Sequence, residues 1–177
     1  HSKKIISDST TFFAVDGLHF ATYISPYEVK LEMKNVSKLS KTEDGLIIDT
    51  GSPHYILLVE DIQAIDVEKE GASIRYSDSF LPNGINVNFV EKVDSKHYKI
   101  RTYERGVESE TLACGTGAVA AALGMHYLKE SEEGTKEILM AAKGGDLKIS
   151  FEVTEHKYHQ IFLKGPATHV FSGKVEL

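Results

Sequence analysis

The chain has 177 residues, of which 41% are hydrophobic, and it contains no apolar run of about eighteen residues that could cross a membrane. That length suits one or two compact lobes. Acidic residues outnumber basic ones by 26 to 20, and no basic stripe is present that would favour binding to nucleic acid. The single cysteine excludes an intrachain disulfide. Because the amino end also has no signal or transit pattern, we expect a cytoplasmic protein.

The first part of the chain predicts a three-stranded meander. Two runs rich in β-branched and aromatic residues, 10–15 and 18–24, are joined by Asp16-Gly17, a dipeptide typical of a tight type I′ hairpin turn. Residues 27–33 then alternate strictly between apolar and charged side chains, which is typical of a half-buried strand. We therefore expect a hairpin followed by a third strand.

A polar stretch, residues 34–44, separates this meander from the rest of the chain. It is rich in Lys, Ser and Thr and leads into a turn dipeptide, Asp44-Gly45, which indicates a boundary. We expect two parts, residues 1–40 and residues 41–177. Ser2 to Ile6 are typical of the end of a helix, so the first part is expected to be the remnant of a larger unit.

Beyond the boundary, strand-like runs predominate, with one clear helix among them. The helix is predicted over Ala118 to Lys129, and it is apolar on nearly every face, so it must be buried. One buried helix among many strands predicts an α+β fold, in which a mostly antiparallel sheet wraps around a central helix. The predicted strands are 46–48, 55–59, 85–90, 98–103, 138–142, 147–153, 158–163 and 169–175.

Cys114 is the candidate residue with the most chemical content. It precedes Gly115-Thr116-Gly117 and then the predicted helix, so its thiol is expected at a helix N-terminus, where the dipole and free N–H groups favour the thiolate. The glycines let a ligand approach the backbone closely, and the N–H groups can receive a carboxylate. A free cysteine is often simply buried, so the spacing alone leaves both a thiolate base and a core thiol open.

The same segment also matches a looser nucleotide-binding pattern. Gly115 to Ala120 fits the dinucleotide fingerprint with alanine in its last place. That fingerprint needs a strand directly before the first glycine and an acidic residue after the next strand. Here residues 106–113 are a polar loop, and the run 138–142 is followed by Lys143, so a nucleotide site is disfavoured. A P-loop is excluded, because no Gly-Lys-Ser/Thr has the required spacing.

Two longer segments carry a family resemblance. Residues 103–106, Tyr-Glu-Arg-Gly, and 110–118, Glu-Thr-Leu-Ala-Cys-Gly-Thr-Gly-Ala, resemble the second-half signature of the diaminopimelate epimerases. Segments 51–54, 86–89 and 165–170 occur in the family's order and extend the resemblance over most of the chain. The resemblance implies two pseudo-symmetric lobes, each a sheet wrapped around a central helix, with the active site in the cleft between them.

The resemblance also implies a reaction. Diaminopimelate epimerases are isomerases that interconvert LL- and meso-diaminopimelate on the route to lysine and peptidoglycan precursors, without pyridoxal phosphate or any other cofactor. One group removes the α-proton and another delivers a proton to the opposite face, and the family uses a thiolate and a thiol for these steps. By resemblance, Cys114 is one of this pair.

The other site residues are carried over from the family's motifs. Glu104 and Arg105 match a pair that holds the amino-acid ends, since an arginine fork suits a carboxylate and a glutamate suits an ammonium. His54 matches a histidine that, together with Glu104, tunes the pKa values of the cysteines. The expected substrate-binding residues are Asn86, Glu104, Arg105, Gly115, Thr116 and Ser52.

No metal site is predicted. His156 and His159 are three residues apart in a predicted strand, so they face opposite sides of the sheet and cannot easily share one metal ion. His126 lies on the apolar helix and is expected to be a hydrogen-bonded core residue, as is Tyr127 beside it.

Three features depart from the family pattern. The first-half signature, Cys-Gly-Asn-Gly, is absent together with its cysteine. The loop 106–111 is one residue longer than the commoner form, and Ser52 stands where an asparagine is usual. We therefore expect a truncated or cleaved protein that lacks the second thiol and does not turn over alone.

The expected partners are an amino-acid substrate, the missing first lobe and, in a homodimer, a second copy of the chain, with no nucleic acid and no membrane. Two alternative functions stay open. A related two-cysteine racemase of the proline or histidine type would apply the same chemistry to another substrate. A non-catalytic module would only hold small carboxylates at residues 115–117.

Overall fold

The computed structural model describes residues 7–14, 17–130 and 137–175, and within these ranges the chain forms two helices and twelve strands. Among the described residues, no helix has the length and apolar character needed to cross a membrane. The helices are α1 (Val67–Arg75) and α2 (Gly115–Tyr127). The strands are β1 (Ser9–Ala14), β2 (Gly17–Ser25), β3 (Glu28–Glu32), β4 (Leu39–Lys41), β5 (Leu46–Asp49), β6 (Pro53–Val59), β7 (Asn86–Lys92), β8 (His97–Glu104), β9 (Ser109–Thr111), β10 (Glu137–Ala142), β11 (Gly145–Thr154) and β12 (Lys157–Pro166).

All of these strands belong to one mixed sheet. Its order is β1-β2-β3-β12-β11-β10-β8-β7-β6-β5-β4, and β9 pairs with β8 off this path. Most pairs are antiparallel, but β6 runs parallel to β7 and β8 runs parallel to β10. In each parallel pair the connecting chain contains a helix, α1 in the first pair and α2 in the second, as a crossover between parallel neighbours requires.

Helix α2 lies at the centre of the main core. Residues from Gly117 to Met125 are all buried, and the helix contacts β5, β6, β7, β8, β10, β11 and β12. Its small residues allow this close approach, since Gly124 packs directly against Leu46 and Ile48. Burial of apolar surface on every side offsets the low helix propensity of its glycines. The sheet therefore wraps around α2, as the sequence predicts.

Helix α1 packs on β7, β8 and β9 and contributes to a second apolar cluster. It begins after Asp66, whose carboxylate caps it by accepting a hydrogen bond from the Lys69 N–H at 3.1 Å. Gly71 lies directly against the Tyr103 side chain. The sequence analysis missed this helix because only Val67 and Gly71 of its nine residues are buried, which leaves little apolar periodicity.

The fold is thus a mixed sheet with two helices. Most strand pairs are antiparallel and the sheet wraps around α2, as predicted, but the two parallel pairs and the second helix, α1, were not predicted. The predicted hairpin forms as β1 and β2, although Val15 and Asp16 of its turn lie outside the described residues, as do Ser2 to Ile6. Strand β4 lies inside the predicted polar linker, and β9 lies inside the predicted loop 106–113. The strand predicted at 169–175 is wrong, because these residues are exposed and pair with no neighbouring strand.

The boundary predicted after residue 40 stays a prediction. Strand β3 pairs with β12, with Leu31 opposite Leu163, so strands from both predicted parts share one sheet. Met33 and Val36 are also buried in the core around α2. The first forty residues therefore contribute apolar surface to the same core as the rest of the chain.

The other histidines considered in the sequence, and Tyr127 beside one of them, lie outside the candidate site. His126 is half-buried, with Nδ1 3.0 Å from the Tyr158 hydroxyl, which confirms the prediction of a hydrogen-bonded core residue. Tyr127 is 44% exposed, so its predicted core position is wrong. His156 lies in the turn before β12 rather than in a strand with His159. In the part of the chain that the structure describes, no group of three or more His, Cys, Asp or Glu side chains could hold a metal ion.

Candidate active site

A row of polar side chains lines the face of β6, β7 and β8 that meets the start of α2. His54 is opposite Asn86 in the parallel pair, and Asn88 is opposite Thr102 in the next pair. Since alternate residues of a strand share a face, Asn86 and Asn88 point the same way, whereas Val87 belongs to the cluster of α1. These four polar side chains are buried, so each needs a hydrogen-bond partner.

Cys114 is the N-cap residue of α2, which begins at Gly115, three residues before the predicted start. The first helical turn therefore consists of Gly115, Thr116 and Gly117, with N–H groups that have no partner within the helix. Thr50 secures this turn, because its buried hydroxyl donates to the Thr116 carbonyl at 2.9 Å. The predicted position of Cys114 at a helix N-terminus is confirmed. The role of the amides as a carboxylate site stays a prediction.

The surroundings of Cys114 bear on its protonation state, for which the sequence leaves a thiolate and a buried thiol open. Burial is the main cause that raises the pKa of the thiol, and the nearby Glu104 carboxylate raises it further. The Thr116 hydroxyl and the Gly117 N–H lower the pKa of the thiol. The Gly117 N–H acts from nearby, without the geometry of a capping hydrogen bond to the sulfur. Burial and Glu104 together therefore outweigh these two groups, so the pKa of the thiol is raised and the thiol is neutral near pH 7.

His54 connects β6 to the first turn of α2. Its Nε2 atom is 2.9 Å from the Thr116 hydroxyl, and that hydroxyl is 3.6 Å from the Cys114 Sγ. His54 is fully buried, and burial lowers its pKa to about 4, against smaller opposite effects from Asn88 and Asp49. The imidazole is therefore neutral at physiological pH, and it reaches the thiol through the hydroxyl of Thr116.

The predicted substrate-binding residues Ser52, Asn86 and Arg105 form one cluster. The Asn86 amide donates to the Ser52 hydroxyl and to the Pro53 carbonyl, both at 2.9 Å, and accepts from the Arg105 backbone N–H at 2.9 Å. The Arg105 guanidinium lies 3.5 Å from the Ser52 hydroxyl and donates to the Asn83 carbonyl at 3.3 Å. No carboxylate of the described residues forms an ion pair with Arg105.

Glu104, at the end of β8, is held beside Cys114 by the short strand β9. Thr111 of β9 donates its hydroxyl proton to the Glu104 carboxylate at 2.6 Å. The loop between the strands is ordered by Glu108, which accepts from the Gly106 N–H at 2.9 Å and from Arg75 at 3.0 Å. The longer loop therefore forms a strand-loop-strand unit that carries Glu104 and Arg105.

A further ion pair supports the segment that leads to Cys114. The Arg101 guanidinium donates two hydrogen bonds to the Glu110 carboxylate, at 2.7 and 2.8 Å, and a third and fourth to the carbonyls of Ile62 and Ile65. Lys143 reaches the same carboxylate at 2.7 Å. Arg101 and Lys143 lower the pKa of Glu110, with the Arg101 hydrogen bonds as the main cause.

The sequence analysis missed four residues of this site: Thr50, Asn88, Thr102 and Thr111. One signal was available, since Asn86 and Asn88 alternate with apolar residues in the buried first five residues of β7. Buried polar side chains at period two indicate a polar patch on one face, because each of them is costly without a partner. The three threonines carry no such signal, as threonine is common in strands.

Comparison with solved structures defines the class of fold. The chain superimposes on a phenazine biosynthesis protein of the PhzF family from Bacillus anthracis with a TM-score of 0.72 and 14% identity, covering 97% of this chain and 70% of the other. It also matches a hydroxyproline epimerase from Agrobacterium vitis, with a TM-score of 0.68, 15% identity and coverage of 94% and 60%. At these identities the likeness establishes the fold shared by these proteins.

The sequence comparisons identify the family within that fold. A family model described as diaminopimelate epimerase matches residues 46–170, and the chain therefore belongs to the diaminopimelate epimerase family. The diaminopimelate epimerase of Flavobacterium psychrophilum is 43% identical over 168 residues, covering 95% of this chain and 65% of the relative. That of Aquifex aeolicus is 37% identical over 184 residues, covering 99% and 64%. The chain thus spans slightly less than two thirds of the length of these relatives.

Proposed function

We propose that this chain supplies Cys114 as one of the two acid–base thiols of a diaminopimelate epimerase. Membership of the family supports the reaction class, an isomerisation in lysine biosynthesis. The observation that carries the proposal is the arrangement around α2, where a protonated thiol lies at the helix N-terminus. The same thiol is linked through Thr116 to a buried neutral histidine.

The ends of an amino acid have suitable partners around this thiol. We assign the α-carboxylate to the free N–H groups at Gly115 and Thr116, where the helix dipole favours an anion. Arg105 has a guanidinium fork suited to a carboxylate. Asn86 accepts a hydrogen bond from the Arg105 backbone N–H, and the guanidinium lies 3.5 Å from the Ser52 hydroxyl. Glu104 is an acceptor suited to the ammonium group. When the α-proton leaves, negative charge spreads from the α-carbon onto the α-carboxylate, and the N–H groups at the helix N-terminus stabilise it there.

In the proposed reaction the two thiols act from opposite faces of the α-carbon. A thiolate outside these 177 residues removes the α-proton and leaves a carbanion, and Cys114 then donates its thiol proton to the other face and becomes a thiolate. The reverse reaction exchanges the two roles. Because Cys114 is protonated at rest, we assign it the donor role in the first direction. His54 and Glu104 adjust its pKa from the sides.

The chain contains one cysteine, so the second thiol belongs to sequence outside it. We propose that it lies on a first lobe, that residues 1–40 belong to that lobe, and that residues 41–177 form the second. The substrate cleft then lies between the lobes, with the start of α2 on its floor. A homodimer of the complete protein is compatible with this arrangement.

The experiment uses this chain joined to the part of the Flavobacterium psychrophilum relative that it does not cover. The joined protein is incubated in heavy water with LL-diaminopimelate, L-proline, trans-4-hydroxy-L-proline or L-histidine, and α-deuteration is measured by mass spectrometry. We expect exchange with diaminopimelate only. Exchange with proline or histidine instead would assign the chain to another racemase. Binding of small carboxylates in calorimetry without any exchange would favour the binding module.

A further inference from the structure

Asn88 lies behind the site, where its amide faces His54 and the backbone carbonyl of Asn86 and makes no hydrogen bond to Cys114 among the described residues. It is fully buried in β7, between Thr102 of β8 and His54 of β6. A buried amide without hydrogen bonds would be costly, and here both ends of the amide have partners. The orientation of this amide decides what His54 can do.

The surroundings of Asn88 fix which end of its amide faces which neighbour. Its Nδ2 atom lies 3.2 Å from the Tyr55 carbonyl and 3.1 Å from the Nδ1 atom of His54. A backbone carbonyl only accepts, so the NH2 group has to face it. The Oδ1 atom then accepts from the Thr102 hydroxyl at 3.0 Å. The NH2 group of Asn88 thus faces the Tyr55 carbonyl, the Asn86 carbonyl at 3.5 Å and the Nδ1 atom of His54. Its donation to His54 requires an unprotonated Nδ1 there.

This donation determines the tautomer of His54. A neutral imidazole that accepts at Nδ1 carries its proton at Nε2, and it donates that proton to the Thr116 hydroxyl 2.9 Å away. The hydroxyl oxygen is thereby used as an acceptor, and its own proton is free for the Cys114 Sγ at 3.6 Å. With the opposite tautomer, Thr116 would donate to Nε2 and the thiol would lose its donor.

We propose that Asn88 is a positioning residue for Cys114, because it holds His54 in the Nε2–H tautomer and so directs the Thr116 hydroxyl proton to the Cys114 sulfur. This inference deepens the proposed function and rests on it for its catalytic meaning. When Cys114 has given up its proton, the Thr116 hydroxyl donates to the thiolate. Asn88 thus assists proton transfer at the Cys114 sulfur through His54 and Thr116, without bonding to the sulfur itself.

The charged groups around these residues are separate from Asn88. Asp49 and Arg105 act on His54, and Glu104 acts on Cys114. A neutral replacement of Asn88 leaves all three in place. Any change in thiol reactivity in such a variant therefore reports the hydrogen-bond chain and not a change in local charge.

The tautomer is measured directly on the whole 177-residue chain, labelled with ¹⁵N-histidine, by NMR at neutral pH. The proposal expects the wild-type His54 signals to indicate a proton on Nε2 and none on Nδ1. In Asn88→Asp, whose carboxylate only accepts, the proton is expected on Nδ1. A wild-type proton on Nδ1 would overturn the proposal, and this result does not depend on whether the variant folds.

Thiol reactivity tests whether Asn88 acts through Thr116. Alkylation of Cys114 by iodoacetamide is expected to be about three- to tenfold slower in Asn88→Leu than in wild type, because the thiolate loses its donor. In a Thr116→Val background the same replacement is expected to have no further effect. Equal slowing in both backgrounds would mean a general structural disturbance and would contradict the proposal.

Thr102→Val provides the matched control, since it removes a buried hydrogen bond from the other side of the same amide. It is expected to keep the Nε2–H tautomer and the wild-type alkylation rate, and a loss of both would count against the proposal. None of these measurements needs substrate or a second thiol. Failure of the proposed hydrogen-bond chain from Asn88 to Cys114 is therefore distinguishable from failure of the proposed epimerase function, which is measured by α-proton exchange.

Discussion

Acidification is expected to destabilise the chain through His54. Folding buries this imidazole and lowers its pKa from 6.5 to about 4, so at a pH between these values the imidazole is protonated in the unfolded state and neutral in the folded state. Between these two values the unfolded chain binds more protons, and the free energy of unfolding therefore decreases as the pH falls. The contribution of His54 is fully present above pH 6.5 and is lost progressively down to about pH 4.

The size of this effect is set by the two pKa values. Linkage gives a loss of about 2 kcal/mol between about pH 7 and about pH 5 from His54 alone. Carboxylates also titrate near the lower limit, so the quantity to compare is the difference between wild type and His54→Gln. The variant is less stable throughout, since it disturbs the contacts to Asn88 and Thr116, but its pH dependence is expected to be flatter by about 2 kcal/mol.

The assay is urea unfolding followed by circular dichroism at a series of pH values. His156→Asn is the control, because His156 is exposed in a turn with φ of 63°, a conformation that asparagine tolerates. It is expected to keep the wild-type pH dependence. An identical pH dependence in wild type and His54→Gln would refute the burial of a neutral His54.

Three further outcomes are expected. Gly117→Ala places a Cβ against the Asn88 amide and 3.3 Å from the Cys114 Sγ, so the free energy of unfolding in urea should fall by about 1 kcal/mol or more. In the control Gly173→Ala the new Cβ has no neighbour within contact distance, and this free energy should change by less than about 0.5 kcal/mol. Arg101→Met breaks the ion pair with Glu110, whose side chains are only 14% and 11% exposed, and should lower the free energy of unfolding by about 3 kcal/mol. Lys99→Met breaks the more exposed pair with Glu91 and should cost about 1 kcal/mol or less; equal losses would contradict this ranking. Glu104→Gln removes a carboxylate that raises the pKa of Cys114, so iodoacetamide should alkylate the thiol roughly threefold faster or more near neutral pH. The control Glu152→Gln should keep the wild-type alkylation rate. A slower reaction in Glu104→Gln would mean that Glu104 does not oppose thiolate formation.

The central helix and most strands were predictable because their side chains show strong patterns. Helix α2 is apolar on all faces, and that pattern indicates a helix inside a sheet. Helix α1 was missed because its charged residues conceal a narrow buried face. The run 169–175 has the apolar residues of a strand, but no neighbouring strand pairs with it, and pairing cannot be read from local sequence.

The sequence selects residues that the fold brings close together, and their roles stay predictions, but it does not give their electrostatics. Order along the chain was sufficient to select His54, Asn86, Glu104, Arg105 and Cys114, and the fold brings the strand ends that carry them to the start of α2. For Cys114 the sequence left two states open, a buried thiol and a thiolate favoured by the helix N-terminus. Desolvation acts in the opposite direction, and it depends on burial, which is a property of the folded chain.

Deuterium incorporation at the α-carbon tests the role of Cys114 most directly. This chain is joined to the part of the Flavobacterium psychrophilum relative that it does not cover, as wild type and as Cys114→Ala. Both proteins are incubated with LL-diaminopimelate in heavy water, and circular dichroism verifies that both are folded. If Cys114 is an acid–base thiol, formation of deuterated meso-diaminopimelate falls at least about 100-fold in the variant. Formation of this product at the wild-type rate in folded Cys114→Ala would contradict the assignment.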